Sequence, residues 1–196
     1  MNPEVLLKTM VITISGPAGS GKSHCASSLA LQFGLVYHSS GSIFRKIALE
    51  RGISLEELTA QTETNSEIDL EIDRRGKELA KGGGIIMEGR LSAFFAPEAN
   101  RLSFYLTAPF EERAKRIAER ERIPLKEAEE KTLAREESER RRYKRLYGLD
   151  ITDLSKYHFV INTALWDKTS EVVLLKRIIE TYLESRCCAP VETQCK

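Results

Sequence analysis

Long apolar runs are missing from this 196-residue sequence, and with them any case for a membrane-spanning helix. Cysteine is scarce. The four present, Cys25, Cys187, Cys188 and Cys195, show neither CxxC nor Cys/His spacing. That argues against a metal cluster or a disulfide framework and leads us to expect a reducing, cytoplasmic setting, with Cys25 as a small buried side chain. An excess of charge is also missing: the formal net charge is +1. General attraction to nucleic acid or membrane is therefore not expected, and any phosphate chemistry must rest on locally placed arginines. The first nine residues lack the basic start and apolar stretch of a secretory signal and are expected to be peripheral, with Met10 a candidate natural start. No Asn-Lys-x-Asp follows any of Asn2, Asn65, Asn100 or Asn162, so the guanine reader of a regulatory GTPase is lacking. Asp73-Arg74-Arg75-Gly76 does spell DxxG, but in a polar helical stretch and not at the end of an apolar strand.

What is present begins at Met10-Val11-Ile12-Thr13-Ile14-Ser15, a β-rich run followed at once by Gly16-Pro17-Ala18-Gly19-Ser20-Gly21-Lys22-Ser23-His24. A strand, a GxxxxGKS loop and a helical pattern in that order make a triphosphate-binding P-loop. Glycines let the backbone N–H groups close around a pyrophosphate at a helix N-terminus, Lys22 can reach the β and γ phosphates, and the Ser23 hydroxyl can ligate Mg²⁺.

Downstream, strand-like runs at 10–15, 35–38, 84–88, 101–106 and 157–161 alternate with longer helical stretches. That pattern predicts an α/β fold, a parallel sheet with helices on both faces. The segment from Phe110 to Arg145 is dominated by Arg, Lys and Glu, and is expected to be solvated and hinged. We expect a single domain over 1–186, with a loose tail from 187 to 196.

A P-loop leaves the reaction open, and the loops after the next strands narrow it. Ser39-Ser40-Gly41-Ser42-Ile43-Phe44-Arg45 follows the second strand, and Glu88-Gly89-Arg90 closes the third. In an open parallel sheet both loops lie on the P-loop's side, so Arg45 and Arg90 could clamp a second, dianionic phosphate; singly, each also reads as a surface ion pair. In the charged segment Arg113, Arg116 and Arg120 share one helix face, as do Arg135, Glu139 and Arg142. The alternative for any of these is plain i,i+4 pairing on a solvated helix. On the polar helix 67–75, Asp69 and Asp73 stand one turn apart. They can accept from a base's exocyclic amine, or simply face water.

These motifs together resemble the nucleoside monophosphate kinases, and within them the archaeal type of cytidylate kinase, over nearly all of the chain from Met10 to about Leu183. Ser39 to Arg45 is similar to that family's STGxxxR, with Ser42 in place of the usual acidic residue, and Trp166-Asp167 follows the last strand as in the family. The resemblance implies a three-layer fold with a five-stranded parallel sheet, acceptor-binding helices at about 40–82 and a mobile helical lid at about 122–149. It implies ATP-dependent phosphorylation of CMP and dCMP by direct in-line transfer. On the donor side it implies contacts from Gly16 to His24, Arg116 and Arg120. On the acceptor side it implies Ser40, Gly41, Arg45 and Arg90; a cytosine pocket would further need an acceptor for the exocyclic amine, for which Asp69 and Asp73 are the candidates. Lys22 and the lid's Arg135 and Arg142 would act in catalysis, and Ser23 with Glu88 at Mg²⁺, Glu88 standing where many relatives carry Asp. The implied partners are ATP and a pyrimidine nucleoside monophosphate, with a monomer expected. Two alternatives stand beside it: a P-loop kinase for AMP, UMP or a small alcohol, and a partner-regulated ATPase or nucleotide-binding module.

Overall fold

The computed structural model describes residues 2–188. A short helix α1 (Pro3–Thr9) leads into β1 (Val11–Ser15), whose five residues are all buried. α2 (Lys22–Phe33), β2 (Val36–Ser39), α3 (Ser40–Arg51), α4 (Leu55–Thr64), α5 (Glu67–Lys81) and β3 (Ile85–Glu88) follow. A four-residue α6 (Ser92–Phe95) precedes β4 (Arg101–Thr107), α7 (Phe110–Glu121), α8 (Leu125–Tyr147), β5 (Phe159–Asn162) and α9 (Lys168–Cys188).

The five strands form one parallel sheet in the order β2-β3-β1-β4-β5. β1 is central because its β-branched run can be buried on both faces, the condition of an inner parallel strand. Its alternation sorts the core. Ile12 and Ile14 join Leu102, Phe104 and Leu106 of β4 under α2 and α9, where Val172, Leu175, Ile179 and Leu183 make an apolar stripe at helical spacing. Val11 faces the other way, with Ile85, Met87 and Ala80. The three-layer α/β arrangement is the one expected, and the strands begin and end within about two residues of the expected runs.

Two boundaries differ. The first nine residues are not merely peripheral: Asn2 caps α1, and Leu6 and Leu7 pack against the main core. α9 continues through Cys187 and Cys188, so the helix passes the boundary expected at 186; residues 189–196, with Cys195, lie outside the described residues. Asp73-Arg74-Arg75-Gly76 lies within α5, away from any strand end. Among the described residues no helix is long and apolar enough to cross a membrane.

β1 connects onward to β2 on one side of it, while its neighbour β4 connects onward to β5 on the other, so the connections from these two adjacent carboxyl ends diverge. That is where a crevice opens in a doubly wound sheet.

Candidate active site

A cavity of about 1160 Å³ lies at this crevice. It exceeds the range of roughly 300–1,000 Å³ typical of a single-ligand pocket. Its floor is the loop between β1 and α2. Gly16 and Gly19 adopt φ of 143° and 77°, and neither could carry a side chain: a Cβ on Gly16 would collide with the Leu106 carbonyl, and one on Gly19 would lie 2.5 Å from the Arg113 carbonyl oxygen. Gly16, Pro17 and fully buried Ser20 shape the underside of the loop, while Ala18, Gly19, Gly21, Lys22, Ser23 and His24 face the cavity. The Lys22 ammonium donates to the Pro17 carbonyl at 2.7 Å. Burial pushes its pKa down to about 8, with Glu88 opposing and Arg90 reinforcing the shift. An arriving polyphosphate reverses that depression, because it supplies the opposite charge that the crowded ammonium lacks.

On the P-loop side Arg116 is bound to protein. Its guanidinium donates to the Gly19 carbonyl at 3.3 Å and to the Thr163 hydroxyl and carbonyl at 2.9 and 3.0 Å, tying the P-loop to the loop after β5. Arg120 stands at the cavity mouth, more than half exposed and paired with Glu121 at 2.5 Å. Trp166 and Asp167 line the same rim; Asp167 accepts from the Thr169 and Ser170 amides at 2.8 and 3.0 Å and so caps α9.

Across the cavity lie Ser40, Gly41, Arg45, Asp69, Asp73, Glu88 and Arg90. Glu88 closes β3 and is buried, with one oxygen accepting from the hydroxyls of Ser39 and Tyr37. Ser39 also accepts from the Ser42 amide, so one hydroxyl fixes both that carboxylate and the start of α3. Arg45 is exposed at the edge, with no carboxylate partner among the described residues.

The roof is α8, whose inner face departs from the solvated surface expected of so charged a segment. Glu139 and Arg142 are 3% and 4% exposed. They can be buried because they are paired: Glu139 meets Arg90 at 2.6 Å and Arg135 at 2.8 Å, and Arg142 meets Asp69 at 2.8 Å. Burial alone would raise the Glu139 pKa, but Arg90, Arg135 and Arg142 outweigh it and hold the carboxyl at about 2. Likewise burial would weaken the charge on Arg90, yet Glu139 and Glu136 raise its pKa above the ordinary value. Burial pushes Asp69 upward against the pull of Arg142. It pushes Asp73 up to about 6, although the Tyr147 hydroxyl donates to Asp73 from the far end of α8.

Sequence reasoning missed Glu136 and Tyr147, and it treated Arg113 only as one of three arginines on a face. Arg113 is 7% exposed and bound to the P-loop and to α8, not open to a substrate. In a stretch where nearly every residue is charged, i,i+3 and i,i+4 pairs occur in every register, so no pattern could single these out. The carboxylate at 136 looks like its neighbours at 137 and 139.

In fold the chain is similar to an uncharacterized protein from Eubacterium ventriosum, with TM-score 0.65 and 17% identity over 87% of this chain and 98% of that one. It is also similar to a shikimate kinase from Acinetobacter baumannii, with TM-score 0.57 and 16% identity over 92% of this chain and 98% of that one. Sequence likeness goes further. A protein named cytidylate kinase from Methanopyrus kandleri is 45% identical over 185 residues, spanning 90% of this chain and 96% of the relative. Another of that name from Ignicoccus hospitalis is 46% identical over 169 residues, spanning 86% and 98%. Residues 11–165, which run from the central strand through the roof to the loop after β5, match the model of the cytidylate kinase-like family, and the chain belongs to that family.

Proposed function

We propose that the protein transfers the γ-phosphoryl group of ATP to CMP, and to dCMP, giving ADP and the diphosphate. The observation that carries this reading is one cavity with a P-loop on one wall and Arg45, Arg90 and two buried-side carboxylates on the other, in a chain whose relatives are named cytidylate kinase. The acceptor phosphate is already an anionic nucleophile, so no covalent enzyme intermediate is needed. Catalysis is positioning and charge neutralisation. Lys22 binds the donor's β and γ phosphates; Arg45 and Arg90 hold the acceptor phosphate; Arg135 and Arg142, carried on α8, approach the equatorial oxygens of the group in flight. α8 acts as a lid that excludes water and so suppresses hydrolysis of ATP. Arg116 contributes by fixing the P-loop at Gly19, and Arg120 with Trp166 borders the adenine.

The Ser23 hydroxyl and the Glu88 carboxylate offer oxygen donors suited to Mg²⁺, and among the described residues no three His, Cys, Asp or Glu side chains form a metal cage. Mg²⁺ needs none, since it keeps waters and relies on substrate phosphates. When bound it neutralises charge on the β and γ phosphates; Ser23 would bind it directly and Glu88 through a water. Asp69 and Asp73 each have one oxygen engaged by a lid residue and another left to accept from the cytosine amine. Uracil presents a carbonyl there, which leaves a buried acceptor unpaired. We read the protein as a cytoplasmic monomer.

The test is a coupled ADP-release assay with CMP, dCMP, UMP, AMP or no acceptor. The expected result is a kcat/KM for CMP at least about tenfold above UMP and AMP. AMP as the best acceptor would overturn the cytidylate reading, and equal ADP release without acceptor would point to an ATPase.

A further inference from the structure

Glu136 stands behind the cavity lining, between Arg113 on the P-loop side and Arg90 after β3. Its Oε1 accepts from Arg113 Nη1 at 2.7 Å and from Arg90 Nη2 at 3.2 Å, and its Oε2 from Arg113 Nη2 at 3.4 Å. Arg113 is otherwise held by backbone: Nε donates to the Ala108 carbonyl and Nη1 to the Ala18 carbonyl, both at 3.1 Å. Ala18 belongs to the P-loop and Ala108 follows β4. Gly19 packs so closely on Arg113 that a Cβ there would lie 2.9 Å from the Arg113 Cβ. The Arg113 guanidinium is thus a bracket on the donor loop and does not reach a ligand. Arg90, at the end of β3, is gripped by two carboxylates one turn apart on α8: Glu136 at Nη2 and Glu139 at Nε. Its remaining nitrogen is left for a phosphate.

We infer that Glu136 is a positioning residue that couples the donor half of the site to the acceptor half, through the chain from the Ala18 carbonyl to Arg113, Glu136 and Arg90. Filling the P-loop fixes the Ala18–Gly19 backbone; Arg113 and Glu136 carry that order to Arg90, which then meets the acceptor phosphate already oriented. Both bridging arginines and the carboxylate are largely shielded, with side-chain exposures of 14% for Arg90, 9% for Arg113 and 25% for Glu136, so solvent screens the chain weakly. By linkage the effect is reciprocal: each substrate tightens the other by the same factor. The inference rests on the reading that Arg90 holds the acceptor phosphate.

Calorimetry tests it, with CMP titrated in the absence and presence of saturating Mg²⁺ and adenylyl imidodiphosphate. For the unmodified protein the analogue should tighten CMP by at least about fivefold, the lower end of ordinary coupling between sites. Glu136→Gln keeps the volume but turns an amide N–H₂ toward a guanidinium; it should reduce that factor to below about twofold while the analogue alone binds within about twofold of normal. Arg113→Lys should lower the coupling factor likewise, with a weakening of analogue binding of its own because the bracket on Ala18 is lost, and combining it with Glu136→Gln should reduce the coupling no further; it carries the test if Glu136→Gln melts early. Unchanged coupling in Glu136→Gln overturns the inference, as does an unmodified protein without coupling. A Glu136→Gln protein that binds each ligand equally weakly with coupling intact also overturns it, since that is a merely structural role. Arg90→Ala separates the two layers. If it leaves CMP affinity unchanged, the acceptor reading fails; if it abolishes CMP binding while Glu136→Gln retains coupling, only the inference fails.

Discussion

On the proposed reading Lys22→Ala removes an ammonium that binds the donor's β and γ phosphates, and kcat should fall by about two decades or more, as for loss of a preorganised charge-stabilising donor. Steady-state turnover near normal would sink the P-loop assignment. The acceptor arginines should behave differently. Arg45→Ala or Arg90→Ala is expected to raise the KM for CMP strongly, by about tenfold or more, while ATP affinity stays within a few-fold, because on the proposed reading both arginines bond the acceptor phosphate and neither bonds ATP. Asp73 provides a test of base reading by pH. With its carboxyl pushed up to about 6, it is an anionic acceptor at pH 7.5 and takes up a proton below pH 6. A protonated carboxyl can donate to the uracil carbonyl, so the CMP-to-UMP ratio of kcat/KM should narrow between pH 7.5 and 5.5. In Asp73→Asn the ratio should already be narrow and flat across that range. A ratio that does not move with pH in either protein would place base reading elsewhere. Asp73 itself was legible as a candidate, because an acidic pair one turn apart on a polar helix is visible in sequence. Its partner Tyr147 was not, since 74 positions separate them.

At the scale of elements, the strands were legible because β-branched runs bounded by glycine have few other uses. The helices around the site were legible in place but not in what they bury. α8 hides an ionic face, and hydrophobic periodicity carries no signal when Glu139 and Arg142 stand where leucines would in an ordinary core helix. α1 and α6 were missed because seven and four residues are too short for a periodic pattern to declare itself. The joint between α7 and α8 makes its own prediction. Arg122 ends α7 at φ 58°, and it is the one non-glycine residue with positive φ among the described residues. A side chain there costs about 1 kcal/mol, so Arg122→Gly should raise stability by up to about that amount in a urea titration, less whatever the freer unfolded chain gives back. A drop in the urea midpoint would mean that the Arg122 side chain itself holds the joint.

At the scale of the whole molecule, α9 is the keystone of the main core. Leu175 is completely buried between the sheet and α2, and Leu175→Ala should cost about 2–5 kcal/mol in equilibrium unfolding, with the spread set by how far the site can collapse. A loss below about 1 kcal/mol would show that α9 packs loosely. Helix α1 leads to a practical conclusion about where the gene product can be cut. Leu6 and Leu7 cover the sheet-side flank of α9, Gly84 packs on the Lys8 carbonyl, and Asn100 donates to the Thr9 carbonyl. A recombinant chain begun at Met10 would leave those apolar flanks bare and the Asn100 amide without its acceptor. Such a truncation should express poorly or precipitate, whereas a purification tag placed ahead of Asn2 should be tolerated, since α1 has no fully buried residue and its outer face is open to solvent.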